Sequence, residues 1–197
     1  MDRERLKKQL DFVLEIDKEK NILRQTHLTD YRRQENDAEH AWHMAIMIYL
    51  LKEYANEEFD VAKAMMMALI HDIVEIDAGD TYAYDAAGNE SKRQREETAA
   101  DRIFNILPRE QAEKMRALWE EFEECNTSEA RFARALDNVQ PVMLNDATDG
   151  KAWREHQVEL NQVQKRNEKT KTGSQELWEY VTNLFYENVK KGNIIDK

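Results

Sequence analysis

The sequence predicts an all-α protein, on three observations. Five Gly and two Pro in 197 residues leave few obligate turns. The best helix formers, Ala, Leu, Glu, Lys, Gln, Arg and Met, dominate the composition. Apolar residues recur at three- and four-residue intervals rather than alternating. The elements follow in order. Residues 4–23 carry Leu6, Leu10, Phe12, Val13, Ile16, Ile22 and Leu23 at roughly helical spacing and predict a first helix. The polar stretch Gln25 to Asn36 predicts a loop. Asn36 or Asp37 can accept backbone N–H bonds at the start of a second helix with the apolar body Ala41 to Tyr54, which puts His40 in its first turns. Asp60 is a matching cap for an apolar helix through Ile76, ended by Gly79, with His71 and Asp72 towards its C-terminal end. Asp80 to Asn89 predicts a loop. Further helices are expected at 91–107, 109–124, 128–146, 151–168 and 174–191, with Pro108, Gly150 and Gly173 at the breaks. Pro141 should kink the 128–146 helix or end it early. The charge-rich segment Glu155 to Lys171 predicts a solvated helix face.

The length suits one compact domain over residues 1–197, with no proline- or serine-rich linker and no internal repeat. A net charge of -11 argues against binding a nucleic-acid polymer, so a small anionic substrate would have to be held by local basic residues. Cys125 stands alone and cannot form an internal disulfide, and Met1-Asp2-Arg3-Glu4-Arg5 lacks the apolar core of a signal peptide. A cytoplasmic location is expected. The apolar stretches Met44 to Leu51 and Ala64 to Ile70 are too short to cross a bilayer, so no membrane role is expected.

The chemistry concentrates where polar residues interrupt apolar helices. His71 and Asp72 sit side by side in Met65-Met66-Met67-Ala68-Leu69-Ile70-His71-Asp72-Ile73-Val74-Glu75, where burial is costly unless they pair or hold a cation. Taken alone, His71 could cap a carbonyl and Asp72 neutralise an arginine, and that plainer reading is preferred. Glu75 changes the balance. It lies four residues after His71 and three after Asp72, on the same helical face, where it could take a proton from water held by a metal. A helical hairpin would bring His40 to His71. His43, three residues after His40, forms His-x-x-His with it, and spacing does not choose between them. Asp137 interrupts Arg134-Ala135-Leu136-Asp137-Asn138-Val139, where it could equally pair with Arg134 or Arg131.

Together these residues carry a resemblance. His40, His71-Asp72 and Asp137, in that order, resemble the metal-dependent HD-domain phosphohydrolases. The flanks Glu35-Asn36-Asp37-Ala38-Glu39-His40-Ala41-Trp42 and His71-Asp72-x-x-Glu75-x-x-x-Gly79-Asp80 look like the branch containing bacterial 5'-deoxynucleotidases. The resemblance covers about residues 20–145, leaving C-terminal helices at about 151–191. It implies an HD-domain helical bundle, a homodimer, and one divalent ion (Mn, Co, Fe, Ni or Zn) held by His40, His71, Asp72 and Asp137. It also selects His40 over His43. Glu75 would orient or deprotonate the attacking water, with Asp72 beside it in the catalytic set. Arg24 would bind the phosphate, and Asp80, Thr81 and Tyr82 the nucleoside sugar.

One departure bears on the substrate. The chain continues Gly79-Asp80-Thr81-Tyr82-Ala83-Tyr84, without the prolines and lysine that this branch carries after Gly-Asp. Tyr82 and Tyr84 could stack on a base or close the pocket. Lys92, Arg93 and Arg95 could touch phosphate, although a solvated basic turn is the expected role. The function expected is hydrolysis of a phosphate monoester, a (deoxy)nucleoside 5'-monophosphate, through a metal-activated water. The alternatives are a triphosphate or alarmone hydrolase, or a nucleotide binder without turnover. A di-iron oxygenase is disfavoured because no histidine lies between His71 and Asp137.

Overall fold

In the computed structural model, which describes residues 2–82, 84 and 90–197, the chain opens with helix α1 (Arg3–Ile16). Asp2 caps it by accepting from the Glu4 and Arg5 amides. The expected 4–23 helix stops there. Asp17-Lys18-Glu19-Lys20-Asn21 offers no apolar side chain to the helix face, and it tightens into a 3-10 turn. The stretch read as a loop is an antiparallel hairpin of β1 (Leu23–His27) and β2 (Gln34–Asn36), with Leu23 opposite Asn36 and His27 opposite Gln34. Backbone pairing across the ribbon, joined by a Leu28–Arg33 hydrogen bond of 3.0 Å, satisfies groups that a short polar segment would otherwise leave to water.

Helix α2 (Asp37–Leu51) starts on a capping box. Asn36 Oδ1 accepts from the Glu39 amide and Glu39 Oε2 from the Asn36 amide, at 2.9 and 3.2 Å. Helix α3 (Val61–Ile70) is capped by Asp60 as expected, but it does not run through Ile76. The Ile73, Glu75, Ile76 and Asp77 amides bond carbonyls three residues back, as in Glu75 N–H to Asp72 O at 2.8 Å. The chain therefore turns at His71–Val74 before the single turn α4 (Glu75–Ala78). Gly79 ends α4 at a φ of +75°, as expected of a terminator. The tightening accompanies burial of six consecutive residues, Ile70 to Glu75, a run of which a straight α-helix packed on one neighbour would turn part outward.

Helices α5 (Lys92–Phe104), α6 (Arg109–Glu124) and α7 (Ser128–Ala147) follow where the pattern put them. Pro141 does not end α7 early, since buried residues from Ala130 to Leu144 hold the helix on both sides of it. The expected 151–168 helix is split into α8 (Lys151–Glu155) and α9 (Leu160–Asn167). Gln157 takes a left-handed φ of 51° between them. The break buries Val158 and lets its carbonyl accept from Ile195, tying the C-terminal segment down. A short turn α10 (Thr170–Gly173) leads into α11 (Gln175–Lys191), capped by Ser174.

Helix α3 belongs to two apolar clusters. Ala64, Met67 and Ala68 pack with Met44 and Ile48 of α2, Phe132 and Leu136 of α7, and Phe185 of α11. Ile70, with Ile73 and Val74 after it, packs with Phe12, Ile103, Phe104 and Trp119. Each fully buried large side chain contributes about 1.5–3 kcal/mol, so the turn at His71 is anchored on both flanks. α10 lies so close to α7 that a Cβ on Gly173 would meet the Arg131 carbonyl oxygen at 2.2 Å. Among the described residues, no helix is long and apolar enough to cross a membrane.

Candidate metal centre

Three elements deliver the histidines and acids to one point. His40 comes from the first turn of α2, where the capping box fixes the backbone one residue before it. His71 and Asp72 come from the turn after α3, and Asp137 from α7. All four are buried, and His40 is wholly so. His40 Nε2 lies 3.2 Å from Asp137 Oδ1, and His71 Nε2 lies 3.7 Å from the same oxygen and 3.0 Å from Asp72 Oδ2. One ligand atom each from His40, His71 and Asp72 falls within 4.8 Å of the others.

The outer contacts orient both rings. The Ala68 carbonyl, 2.8 Å from His71 Nδ1, can only accept, so His71 carries its proton there. His40 Nδ1 is 3.0 Å from Gln140 Oε1, whose own Nε2 donates to Glu35 at 2.6 Å, so His40 carries its proton on Nδ1 as well. Both Nε2 atoms are left facing the acids. His71 Nε2 is buried without an aligned hydrogen-bond partner, its 3.0 Å approach to Asp72 being electrostatic. Imidazoles oriented from behind, with one unsatisfied nitrogen on His71 and both Nε2 atoms beside two carboxylates, fit a divalent cation.

The electrostatics agree. Burial, with Arg24 adding repulsion, holds His40 down to about 4, so it stays neutral. Burial opposes charge on His71 too, but Asp72 and Asp137 outweigh it and carry that ring up to about 10. Against the cost of burial, His71 and Arg24 hold Asp72 below the usual carboxylate range. Asp137 is likewise held well below it by the two histidines and Arg134. Glu75 moves the other way. Burial and the nearby Asp72, Asp37 and Asp80 push it well above its ordinary value, as they must for an acid with a buried, unpartnered Oε2.

The cluster opens on a cavity of about 770 Å³, and Arg24, Glu75, Asp80, Thr81 and Tyr82 all line it. Arg24 projects from β1, not from a loop or helix. Its Nη1 bonds Asp37 at 3.0 Å and Asp72 at 2.9 Å. Thr81 Oγ1 accepts from Arg95 at 2.7 Å, so Arg95 braces the loop rather than forming a free basic turn. Tyr82 lies tilted against His156, ring centroids 4.4 Å apart, and meets Tyr84 edge-on at 5.2 Å. Ala83 and Asp85 to Asn89, the rest of the expected loop, lie outside the described residues. His43 is not part of the cluster; its Nδ1 lies 3.2 Å from Gln140 Nε2.

Two expectations are corrected. Lys92 is not a solvated turn residue, because its Nζ lies 3.7 Å from Glu75 and 3.3 Å from Glu96 at the cavity. Nor is Glu155–Lys171 simply a solvated face: α9 forms a cavity wall, with Gln162, Lys165 and Arg166 on it. Sequence reasoning took Asp37 only as an alternative cap to Asn36, which holds that position, and gave Glu35 and Gln140 no role in the site. Glu35 and Asp37 are two residues apart and both buried, an alternation that could have marked an inward-facing pair. Nothing in the sequence marks Gln140.

A small β-hairpin on a helical scaffold, with a buried two-histidine, two-aspartate cluster at the foot of a cavity, defines an HD-type metal-centre fold. The family model described as HD domain matches residues 16–178, and the chain belongs to the HD-domain family. The 5'-deoxynucleotidase HDDC2 of Homo sapiens is 30% identical over 112 residues, covering 57% of this chain and 53% of the human protein. That of Dictyostelium discoideum is 34% identical over 114 residues, covering 55% of this chain and 60% of that protein. The chain thus spans little more than half the length of these curated relatives. A solved structure described as a predicted metal-dependent phosphohydrolase from Magnetospirillum magnetotacticum MS-1 superposes with a TM-score of 0.92 at 49% identity, over 96% of this chain and 95% of that one. A conserved hypothetical protein from Pyrococcus furiosus shares the fold, with a TM-score of 0.63 at 21% identity over 92% of this chain and 99% of that one.

Proposed function

We propose that the protein is a metal-dependent phosphomonoesterase that converts (deoxy)nucleoside 5'-monophosphates and water to nucleoside and phosphate. The observation that carries this reading is the pair of imidazoles, each with its Nδ1 proton held from behind and its Nε2 aimed at Asp72 and Asp137. His40, His71, Asp72 and Asp137 would hold one divalent ion, of Mn, Co, Fe, Ni or Zn. When bound, such an ion acidifies water and polarises a phosphoryl oxygen. The names carried by the human and Magnetospirillum relatives support the activity and the metal.

The chain's own groups divide the remaining work. Glu75, lining the cavity and held by Lys92, receives the proton of the attacking water. Arg24 fixes Asp72 and lends positive charge to the phosphate. Asp80, Thr81 and Tyr82, on the same wall, contact the sugar. Residues 1–197 act as one domain on this reading, in the cytoplasm and as a homodimer. Trp42, Ile46, Tyr49 and Leu50 form an exposed apolar stripe along α2 that supports the dimer.

The test is to strip the protein of metal, reload it with each divalent ion and assay phosphate release from a nucleotide panel. Asp72→Ala should lose both cation and turnover, whereas Glu75→Gln should keep the cation and lose turnover. Oxygen consumption, or nucleotide binding without release of phosphate, would refute the proposal.

A further inference from the structure

The cluster is crowded with acids. Asp72, Asp137, Glu75 and Asp80 line the cavity, and Asp37 and Glu35 lie just behind. A phosphate dianion entering here must find positive charge that is not already committed. Arg24 is largely committed: its Nη1 serves Asp37 and Asp72, its Nε lies 3.9 Å from Glu35, and its side chain is 13% exposed. Lys92 lies between Glu75 and Glu96. Arg134 spans Asp137 Oδ2 at 3.2 Å and Glu123 at 2.8 Å, with its guanidinium over the Phe122 ring.

Arg166 differs from all three. It projects from α9, lines the same cavity as Arg24, and its side chain is 39% exposed. Its nearest carboxylate is Asp137 Oδ2 at 3.8 Å, too long for a hydrogen bond and already held by Arg134. Among the described residues, the Arg166 guanidinium finds no hydrogen-bond partner. A guanidinium with its donors unspent, beside a proposed cation ligand, is arranged to receive an oxyanion in the cavity.

We infer that Arg166 is a substrate-binding residue that takes a non-bridging phosphate oxygen beside Asp137, as Arg24 stands beside Asp72. The inference rests on the phosphomonoesterase reading for the nature of the anion. Asp137 Oδ2 keeps the guanidinium close while the site lacks anion, and phosphate becomes its stronger partner. Because Arg166 does not support Asp137 by hydrogen bonding, its removal leaves the cluster assembled.

The test titrates inorganic phosphate into cation-loaded wild type, Arg166→Ala and Arg166→Lys by calorimetry, with a nucleoside as the uncharged control. Arg166→Ala should weaken phosphate by about tenfold or more, the loss of one charge-assisted contact. Arg166→Lys should recover part of this, and nucleoside binding and bound cation should match wild type. With substrate, KM should rise more than kcat falls. Phosphate affinity within about twofold of wild type in Arg166→Ala would overturn the inference, as would loss of the cation. If wild type hydrolyses nucleotides while Arg166→Ala binds phosphate normally, only this inference fails. If Arg166→Ala loses phosphate but wild type hydrolyses nothing, only the proposed activity fails.

Discussion

Replacing Arg24 by methionine keeps most of the side-chain length and removes one charge from between two buried acids. Asp37 is wholly buried and Asp72 nearly so, and both bond the same Nη1. Removing one partner of such an arrangement costs about 3–5 kcal/mol, because the remaining charges stay buried and uncompensated. In a chain of this size that is a fall of roughly 6–20 °C in Tm. The pH dependence follows from the carboxyls. Burial and Asp72 already raise Asp37 to about 7 even with Arg24 opposing them. Without Arg24, Asp37 rises further and Asp72 loses part of what holds it low. A carboxyl raised in the folded state contributes stability below its unfolded pKa and loses it as pH climbs through the folded value. The penalty should therefore be greatest near about pH 8 and shrink towards about pH 5. Urea unfolding of metal-free wild type, Arg24→Met and Arg24→Met/Asp37→Asn measures this, with the double variant regaining part of the loss. A penalty below about 1 kcal/mol near pH 8, or one equal at both pH values, would refute the reasoning.

Gln140→Leu should lower cation affinity by about 10–100-fold while leaving the fold intact, since it frees His40 Nδ1 from its orienting acceptor; competition with a chelator reads the loss. Cation loading near neutral pH should release close to one proton from His71, which Asp72 and Asp137 raise to about 10. Affinity should then climb with pH up to that value, and calorimetry in buffers of different ionisation enthalpy counts the proton. Gly173→Ala should destabilise by more than about 2 kcal/mol, because its methyl group would meet the Arg131 backbone. Thermal melts check this, and a change within about 0.5 kcal/mol would contradict the observed packing of α10 on α7.

Where an element carried its own signal, it was legible. Asn36, Asp60 and Gly79 occupy the cap and terminator positions that their side chains or backbone freedom suit. The 91–107, 109–124 and 128–146 patterns became α5, α6 and α7 within a few residues. Where the decisive partner was distant, reading failed. Arg24 sits on a strand because β2 pairs with β1. The chain turns after Ile70 where every residue from Ile70 to Glu75 is buried against surrounding segments. Val158 breaks a helix because the C-terminal segment binds its carbonyl.

The sequence alone marked which side chains are candidates for a metal centre, because a histidine or aspartate within an apolar helical run is a local anomaly, and left His40 and His43 to be separated by resemblance. Tertiary structure alone decided that His40 approaches Asp137 across 97 residues, that Gln140 and Ala68 turn the two rings, and that Arg166 faces the cavity. Those facts depend on how helices pack, and packing is settled by shape and burial between segments far apart in the chain.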